Sequence, residues 1–496
     1  MNRSPIDAFL LAVPHVDRNA EEPLYRQIYA GIREGILQGR LVPGLRLPSS
    51  RDLAELFGVS RNTVLNAFDQ LLAEGYLEAR VGAGTFVTET LPESYLNVYR
   101  RKTLDKAAPQ QPESAQRGAS GPQNAGAGAT TAVYKVFPHG MPDLEHFPFD
   151  IWSRLTAKRL RETSPYRFGF WPGRGGYQPL VEAITGYLGA ARAVRCDPQQ
   201  VIVVAGSQQG LYLASHNLLE DDDRVWFEDP GYLGARTALS SAGARLAPVP
   251  IDEEGFDLAA AQRSGDARLA YVTPSHQFPL GYTMSLARRT RLLQWAAESD
   301  GWIIEDDYDS EFRYSGAPLA SLQGLDVNNR VIYAGTFSKT LFPGLRLGYL
   351  VVPRDLIDAF ISARNAMSLA PPFLSQAVLN DFIEQGHLTR HIRRMRTRYA
   401  RRREALVVAL QETLGDIVRL GPSDAGLHLT VWLPEDVDEL AVTRQAEEEE
   451  VTVLPLSRLT MARPQQPGLV LGFALAPVGE IRAGVRRLAK AIREVI

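Results

Sequence analysis

From about residue 133 to the C-terminus, short runs of β-branched and aromatic residues alternate with helical stretches. The strand candidates are residues 201–205, 224–229, 269–274, 302–307 and 331–337, and helical stretches between them include 208–219 and 286–298. Buried apolar strands separated by helices predict an α/β domain with a mainly parallel sheet covered on both faces. Ligands in such folds bind beyond the carboxyl ends of the strands. The residues that follow each strand are therefore the candidates for chemistry.

The chain is too long for a single hydrophobic core. It has 496 residues, and single cores seldom grow beyond about 250–300 residues. Residues 89–132 are rich in Pro, Gly, Ala, Gln and Ser and offer little to bury, so we predict a flexible linker there. We expect one domain in residues 1–88 and a second in residues 133–496.

Composition excludes several classes of protein. A single cysteine, Cys196, rules out an intrachain disulfide framework and suits a reducing cytoplasm. No run approaches about 20 apolar residues, so we expect no transmembrane helix and no membrane partner. The formal net charge of −3 provides no overall attraction to nucleic acid. Any DNA binding must rest on the placement of particular residues. We expect a cytoplasmic protein without a metal site.

The first domain has the pattern of a winged helix-turn-helix. Residues 23–38, 50–57 and 61–74 are periodic as helices, and Gly58 with Val59 forms a tight turn between the last two. Residues 76–87 predict two short strands joined by a glycine-rich tip. Two helices joined by a tight turn and followed by a β-hairpin describe this α+β fold.

The first turn of the third helix carries side chains that DNA can accept. Arg61 suits guanine, Asn62 suits adenine, and Ser60 and Thr63 suit phosphate. Five further candidates lie around this helix or on the wing: Arg46, Ser49, Arg51, Arg80 and Gly84. A protein-interaction winged helix with solvated arginines is the alternative.

Lys339 follows a predicted strand within the run TFSKT. A lysine at that place suits a Schiff base with the aldehyde of pyridoxal phosphate. Thr336 and Ser338 can hydrogen-bond the phosphate, and Arg346 can pair with it in a bidentate manner. The alternative is an ordinary solvated lysine on the surface.

Other strand ends favour the cofactor interpretation. Ser207 and Gln208 open a helix, whose free N–H groups favour phosphate. Asp306 can hold the pyridinium nitrogen protonated, so that the ring acts as an electron sink. Tyr308 can donate to the ring oxygen O3′, and Tyr232 can stack on the ring. Each acid or aromatic taken singly would also suit an ordinary loop.

Both halves of the chain resemble known families. PLYRQI, LPSSRDLAELFGVSRNTV, LLAEGYL and GAGTFV resemble the GntR family of bacterial regulators. GSQQGL, EDPGY, TPSHQFPLG, EDDYDSEF and TFSKTLFPGLRLGY resemble fold-type I pyridoxal phosphate enzymes. Together they resemble the MocR subfamily, which joins a GntR-type winged helix through a linker to an α/β, fold-type I, aminotransferase-like domain.

The resemblance implies roles for particular residues. Lys339 is then the Schiff-base lysine, Asp306 the pyridine partner, Tyr308 the O3′ contact and Tyr232 the stacking ring. The phosphate would be held by Ser207, Gln208, Thr336, Ser338 and Arg346. His276 would then occupy the place of the asparagine that contacts the cofactor ring in fold-type I enzymes.

The chain departs from an aminotransferase at the substrate carboxylate. Enzymes of this type hold that group with an arginine just before a strand like LGFA, but residues 469–474 contain none. Gly234 stands where one regulator of the subfamily has arginine. Arg236 and Arg463 are the nearest arginines in sequence. Trp171 replaces a tyrosine that reaches the partner's phosphate, so we do not transfer that role.

These observations predict a transcription regulator that binds operator DNA and senses pyridoxal phosphate or an amine or amino-acid effector. Two alternatives stay open: an active aminotransferase with an accessory DNA-binding domain, and a cofactor-free scaffold that dimerises the DNA-binding domain. The resemblance implies a head-to-tail homodimer in which each winged helix lies over the partner's large domain.

Overall fold

A computed structural model describes residues 16–18, 20, 22–80, 83–89, 136–169, 173–315, 320–462 and 466–496. The predicted linker, residues 89–132, lies outside these residues except for its first position. The chain divides into two compact units, Met1–Glu113 and Ser114–Ile496. Among the described residues, every helix is too short or too polar to span a membrane.

The first unit consists of three helices and a hairpin. They are α1 (Leu24–Leu37), α2 (Ser50–Phe57), α3 (Arg61–Ala73), β1 (Leu77–Arg80) and β2 (Gly84–Val87). Ser49 begins α2 through a reciprocal capping box with Asp52, and Gly58 ends it in the left-handed region with φ of 62°. These local signals place the turn between α2 and α3 where the sequence predicts it.

One face of α1 supplies much of this unit's core. Ile28, Ile32 and Ile36 are almost fully buried and pack with Val64 and Leu71 of α3. Their spacing of four residues keeps the three isoleucines on one face of the helix. Burial of each such side chain contributes about 1.5–3 kcal/mol. The core thus fixes α3 with its polar first turn exposed.

The second unit contains helices along its whole length. They are α4 (Phe149–Glu162), α5 (Gln178–Arg192), α6 (Ser207–Leu218), α7 (Leu233–Ser241), α8 (Leu258–Arg263), α9 (Leu286–Glu298), α10 (Leu322–Leu325), α11 (Ile357–Met367), α12 (Phe373–Glu384), α13 (His387–Leu414), α14 (Glu439–Glu448) and α15 (Val478–Val495).

Its strands form two sheets. They are β3 (Val201–Val204), β4 (Arg224–Asp229), β5 (Arg245–Asp252), β6 (Gly255–Phe256), β7 (Leu269–Val272), β8 (Trp302–Asp307), β9 (Val331–Thr336), β10 (Gly348–Val351), β11 (Arg419–Leu420), β12 (His428–Trp432), β13 (Leu454–Pro455) and β14 (Gly468–Gly472).

The large sheet has the order β3-β10-β9-β8-β7-β4-β5-β6. Strands β9, β8, β7, β4 and β5 are parallel to one another. β10 is antiparallel to both of its neighbours, and β6 is antiparallel to β5. This is the mainly parallel α/β sheet that the sequence predicts, and all five predicted strands are present.

Helices cover both faces of this sheet. Ile202, Ile304 and Ile332 face α6, α7 and α11, whereas Val201 and Val203 face α5 and α12. Because successive side chains of a strand point to opposite faces, every position of a central strand is buried. The central strand β7, with the sequence LAYV, therefore shows no polar alternation.

The smaller sheet has the order β11-β12-β14-β13 and is antiparallel throughout. Leu429 and Leu471 from its strands pack with Leu410 of α13 and Leu488 of α15. This second layer lies within the same compact unit as the large sheet.

Candidate cofactor site and nucleic-acid interface

Three strand ends meet at Gly348 in the second unit. Gly348 opens β10 and pairs with Val204 and Thr336, the last residues of β3 and β9. A Cβ at Gly348 would lie 3.1 Å from the backbone nitrogen of Ser207. The absent side chain lets the start of α6 approach the end of β9. Ser207, Thr336 and the nearby Lys339 therefore share one edge of the sheet.

Lys339 points inward and is held by the backbone. Its Nζ donates a hydrogen bond to the carbonyl oxygen of Gly140 at 2.8 Å. A Cβ at Gly140 would lie 2.6 Å from that nitrogen, so a side chain there would displace the lysine. Burial lowers the pKa of the Lys339 ammonium, while the carboxylates of Asp309 and Asp306 oppose this effect. A lowered pKa favours the neutral amine, which is the nucleophile in Schiff-base chemistry.

The two neighbouring acids at the end of β8 point to opposite faces, as strand alternation requires. Asp307 pairs with Arg192, with 2.7 Å between Nε and Oδ2. Asp306 accepts a hydrogen bond from the Tyr271 hydroxyl at 2.8 Å. Its other oxygen, Oδ1, is buried and has no hydrogen-bond partner among the described residues. Burial raises the pKa of the Asp306 carboxyl to about 7, against the effect of the Tyr271 hydrogen bond.

Tyr308 and His276 contact each other beside this acid. The Tyr308 hydroxyl donates to the His276 carbonyl oxygen at 3.0 Å and lies 2.9 Å from His276 Nδ1. His276 Nδ1 also lies 3.1 Å from Asp309 Oδ1. Because a carboxylate only accepts, we place the proton on Nδ1. The predicted O3′ contact, Tyr308, is therefore oriented by His276 rather than standing alone.

Tyr232 follows β4 and packs at the start of α6. Its hydroxyl donates to Gln208 Oε1 at 3.5 Å, and the Gln208 amide nitrogen donates to the Gly234 carbonyl oxygen at 2.8 Å. A Cβ at Gly234 would lie 2.3 Å from Gln208 Oε1 and 2.5 Å from the Tyr232 hydroxyl. Burial and then Asp306 raise the pKa of Tyr232, whereas Arg346 lowers it. Both charged groups thus act on the tyrosine hydroxyl.

The predicted phosphate ligands lie at the ends of β3 and β9. The backbone nitrogen of Ser338 donates to the Thr336 hydroxyl at 3.2 Å, which folds the chain back after β9. Thr336 is buried, and Ser207 and Ser338 are half-buried. Arg346 is exposed and has a left-handed backbone with φ of 51°.

Four residues join this site that sequence reasoning missed. Tyr271 bonds Asp306, Gly140 bonds Lys339, and Asp309 and His428 lie beside His276. Tyr271 lies in the buried apolar strand β7, so nothing in the local sequence identifies it as a hydrogen-bond donor to the site. Asp309 lies in the run EDDYDSEF, two residues after Asp307. Its position just beyond the predicted acids was the signal that could have identified it.

Of the two arginines considered for a substrate carboxylate, Arg236 lies among the described residues. Val470, which directly precedes the run LGFA in β14, is fully buried and pairs with Thr430. Arg236 is half-buried on α7, where its charge acts on Asp229. Arg463 and Trp171 lie outside the described residues. Neither β14 nor position 234 therefore provides a guanidinium.

In the first unit, the start of α3 forms a polar, exposed corner. Ser60 caps the helix by accepting from the Thr63 backbone nitrogen at 3.1 Å, and the two hydroxyl oxygens are 2.8 Å apart. Arg61 is exposed, and its Nε donates to the Ser50 hydroxyl at 3.2 Å. Asn62 is exposed as well. The hydroxyl groups of Ser60 and Thr63 thus bond each other, while Arg61 bonds Ser50 and Asn62 is exposed.

The remaining predicted DNA contacts surround this corner or lie on the wing. Arg51 and Ser49 are exposed at the start of α2, where the Ser49 hydroxyl accepts from the Asp52 nitrogen at 3.3 Å. Arg80 pairs with Glu78 and lies over the Phe86 ring, 4.7 Å from its centroid.

Gly84 and Arg46 meet at the wing. Gly84 has φ of 112°, and a Cβ there would lie 3.1 Å from Arg46 Nε. Glycine therefore allows both the turn and the close approach. Asn66 is exposed one helical turn after Asn62 and was missed, although its i+4 spacing places it on the same face.

Comparison with known proteins matches both units. Residues 24–87 match the bacterial regulatory proteins of the gntR family, and residues 154–469 match aminotransferase class I and II. The α-aminoadipate aminotransferase LysN of Thermus thermophilus, solved as a complex with N-(5′-phosphopyridoxyl)-L-leucine, is 30% identical. The match covers 73% of this chain and 92% of that one, with a TM-score of 0.68.

Regulators match along nearly the whole chain. The probable rhizopine catabolism regulatory protein MocR of Rhizobium meliloti is 41% identical over 96% of this chain and 95% of its own length. The HTH-type transcriptional regulator TauR of Rhodobacter capsulatus is 32% identical over 99% of each. The predicted fold and family are confirmed: the chain belongs to the MocR subfamily of GntR-type bacterial transcription regulators, which join a winged helix to an aminotransferase-like domain.

Proposed function

We propose that Lys339 binds pyridoxal phosphate covalently, and that the bound cofactor or an amine that reaches it controls operator binding by the winged helix. The bound cofactor supplies an aldehyde that condenses with amines and a ring that accepts electrons. The chain's own residues hold it, orient it and keep the lysine buried.

The buried Asp306 Oδ1 is the single observation that carries this proposal. A buried carboxylate oxygen without a partner is costly, since most buried polar atoms are hydrogen-bonded. A protonated pyridine nitrogen would supply the missing donor and a compensating positive charge. The raised pKa of Asp306, about 7, is what burial produces when that charge is lacking.

The other residues fit the rest of the group. The free N–H groups at the start of α6, together with Ser207, Thr336, Ser338 and Arg346, would hold the phosphate. Gln208 would orient Tyr232, whose ring would stack on the cofactor. Tyr308 would donate to O3′ in place of its present acceptor, with His276 beside it.

A regulatory role is favoured over transamination because positions 234 and 470 carry glycine and valine and not the arginine that would hold a substrate carboxylate. Gly234 cannot accept a side chain without displacing Gln208 and Tyr232. Val470 is buried inside the small sheet. We therefore propose that the effector is pyridoxal phosphate itself or an amine or amino acid, and that any transamination is residual.

DNA reading is proposed for α3 and the wing. Arg61 and Asn62 would contact base edges from the start of α3, while Arg46, Ser49, Arg51, Ser60, Thr63 and Arg80 would contact phosphates. Gly84 would let the wing backbone approach the minor groove. We propose domains in residues 1–88 and 133–496 with a linker in 89–132, and a homodimer in which the winged helices are exchanged.

Replacement of the anchor lysine tests the cofactor assignment. The purified chain, incubated with pyridoxal phosphate, should develop a visible absorption band that survives dialysis. Lys339→Ala should lose this band while its thermal unfolding stays cooperative, and Lys490→Ala, which removes an exposed lysine, should keep it. A band that persists in Lys339→Ala would overturn the assignment.

A further inference from the structure

A buried polar cluster of two histidines and an acid lies beyond the end of β8, the strand beside the one that Lys339 follows. His276, Asp309 and His428 are each no more than 2% exposed. The ring centroids of the two histidines are 5.0 Å apart. His428 Nε2 lies 3.1 Å from the Pro279 carbonyl oxygen, so that nitrogen carries its proton. Burial lowers the pKa of His428 well below its ordinary value, which keeps the ring neutral.

Asp309 is oriented by one of its oxygens and leaves the other without a partner. Oδ1 accepts from His276 Nδ1 at 3.1 Å. Oδ2 is buried and has no hydrogen-bond partner among the residues that the structure describes. A Cβ at Gly426 would lie 2.8 Å from Oδ2 and 1.9 Å from His276 Cε1. The chain therefore keeps a glycine where a side chain would cover the free oxygen.

A continuous set of contacts connects this carboxylate with the lysine. Lys339 Nζ bonds Gly140, whose neighbour His139 has its ring centroid 6.4 Å from that of Phe278. Phe278 in turn lies 5.3 Å from the His428 ring, which is beside His276. β8 and β9 are parallel neighbours whose last paired residues are Asp307 and Gly335, so Asp309 and Lys339 follow adjacent strand ends on the same side of the sheet.

We propose that Asp309, oriented by His276, is the counter-ion of the Lys339 nitrogen and sets the pH at which that nitrogen loses its proton after the cofactor is linked. Asp306 serves the ring nitrogen, so the two acids divide the two positive charges of the bound cofactor between them. This inference rests on the proposed function, because it concerns the nitrogen that carries pyridoxal phosphate.

Charged and titratable groups among the described residues act on both partners. Asp309, Asp306, His139 and His428 act on Lys339, while Tyr308 and Tyr314 feel the charge of Asp309. Both acids raise the pKa of the lysine, and Asp309 acts more strongly than Asp306. His428 is neutral in the ordinary pH range. It therefore adds no positive charge that would oppose the effect of Asp309 on the Lys339 nitrogen.

The test follows the visible spectrum of the loaded, full-length protein against pH. Its midpoint reports the proton on the linked Lys339 nitrogen. Asp309→Asn keeps the shape and removes the charge, so the midpoint should fall by about 1–3 pH units, the usual effect of a nearby opposite charge. His276→Gln should shift it in the same direction by less, because the carboxylate keeps its charge and loses its orientation.

Two controls separate charge from structure. Asp309→Glu keeps the charge, and its midpoint should stay closer to that of the unmodified chain than to that of Asp309→Asn. Asp257→Asn removes a charge at the cap of α8 and leaves a residue that also caps helices, so its midpoint should not move. Equal shifts in Asp309→Glu and Asp309→Asn would assign Asp309 a structural role and overturn the proposal.

The outcomes also separate this inference from the proposed function. Failure of the unmodified chain to form any visible band would overturn the cofactor assignment and this inference together. A normal band whose midpoint is the same in Asp309→Asn would overturn the counter-ion alone. Metal analysis completes the test, since a stoichiometric divalent ion lost in Asp309→Asn would neutralise the carboxylate and contradict its role as counter-ion.

Discussion

Asp306 shows at the scale of one residue how burial and function oppose each other. Its carboxyl is buried near the end of β8, with one oxygen bound to Tyr271 and the other without a partner among the described residues. In a folded chain without cofactor, the pKa of about 7 exceeds the ordinary 3.8. The folded state therefore holds a proton that the unfolded state has lost, and its stability falls as pH rises from about 4 to about 7.

We expect Asp306→Asn to stabilise the cofactor-free protein in a pH-dependent way. The amide carries no charge, so the variant should match the unmodified chain near pH 4 and exceed it near pH 7 and above. The gain is at most a few kcal/mol, at about 1.4 kcal/mol per unit of pKa difference. Denaturant unfolding across this range measures it. With pyridoxal phosphate bound, the order should reverse, because the carboxylate then meets the ring nitrogen.

The neighbouring acid, Asp307, provides the control for the Asp306→Asn experiment. Asp307→Asn should destabilise the protein by about 3–5 kcal/mol, because the buried Arg192 guanidinium would lose its negatively charged neighbour. Identical pH profiles for Asp306→Asn and the unmodified chain would contradict the assignment of the raised pKa to Asp306.

At this scale the sequence could place candidate side chains at strand ends but could not predict contacts between separate loops. Lys339 and Asp306 were predicted from their places at strand ends, which depend only on strand order. The pairing of His276 with Asp309 depends on a contact between loops 33 residues apart, and no local pattern encodes such a distance. The present bond from Tyr308 to the His276 backbone was missed for the same reason.

At the scale of elements, bounds followed local signals closely. The helix predicted at residues 286–298 is α9 without change, and that at 50–57 is α2, because Ser285 and Ser49 cap them. β10 was not predicted, since GYLV is short, begins with glycine and follows a loop. Its antiparallel place between β3 and β9 comes from long-range pairing, which the sequence pattern does not contain.

The recognition helix supports a prediction about specificity. Arg61→Ala should cost about 1–3 kcal/mol of binding free energy on the cognate operator and relax specificity, because a base contact is lost. Arg51→Ala, at the exposed start of α2, should weaken cognate and unrelated DNA about equally, as loss of a phosphate contact does. Fluorescence anisotropy with both DNAs at fixed salt measures this.

Arg80→Ala is a graded comparison for the same assay. Arg80 already pairs with Glu78 and packs on Phe86, so its loss should weaken binding less than the loss of Arg51 while remaining independent of sequence. Unchanged affinity in both Arg61→Ala and Arg51→Ala would show that the docking is wrong.

At the scale of the whole molecule, the second unit exposes apolar side chains that suit a second copy. Phe149 and Leu160 are 50% and 55% exposed on α4, and their spacing of eleven residues places them on one face. Tyr166, shortly after this helix, is 94% exposed. Exposed apolar side chains that form one patch are typical of interaction surfaces, so we predict that this face contacts a second copy.

We therefore expect a homodimer at micromolar concentration, measured by sedimentation. Leu160→Asp should shift it towards monomer, because the charge would be buried in the interface. Leu286→Asp, at a similarly exposed leucine on α9, should leave the dimer intact. Sedimentation of the unmodified chain as a monomer would contradict the prediction.

The last prediction concerns turnover, which depends on the whole site. Lys339, Asp306 and Tyr308 supply what a first proton transfer needs, so a slow half-reaction with an amine is expected. Fast cycling also needs a fixed cation for the substrate carboxylate, and neither Val470 nor Gly234 provides one. Loss of a hydrogen bond to a charged group costs about 1.5–3 kcal/mol, and each 1.36 kcal/mol is about tenfold in rate. Single-turnover spectra with α- and ω-amino donors, followed by ketoacid assays, should show slow conversion and no sustained transamination. Rapid, repeated turnover would instead assign the chain an aminotransferase activity, with the winged helix as an accessory domain.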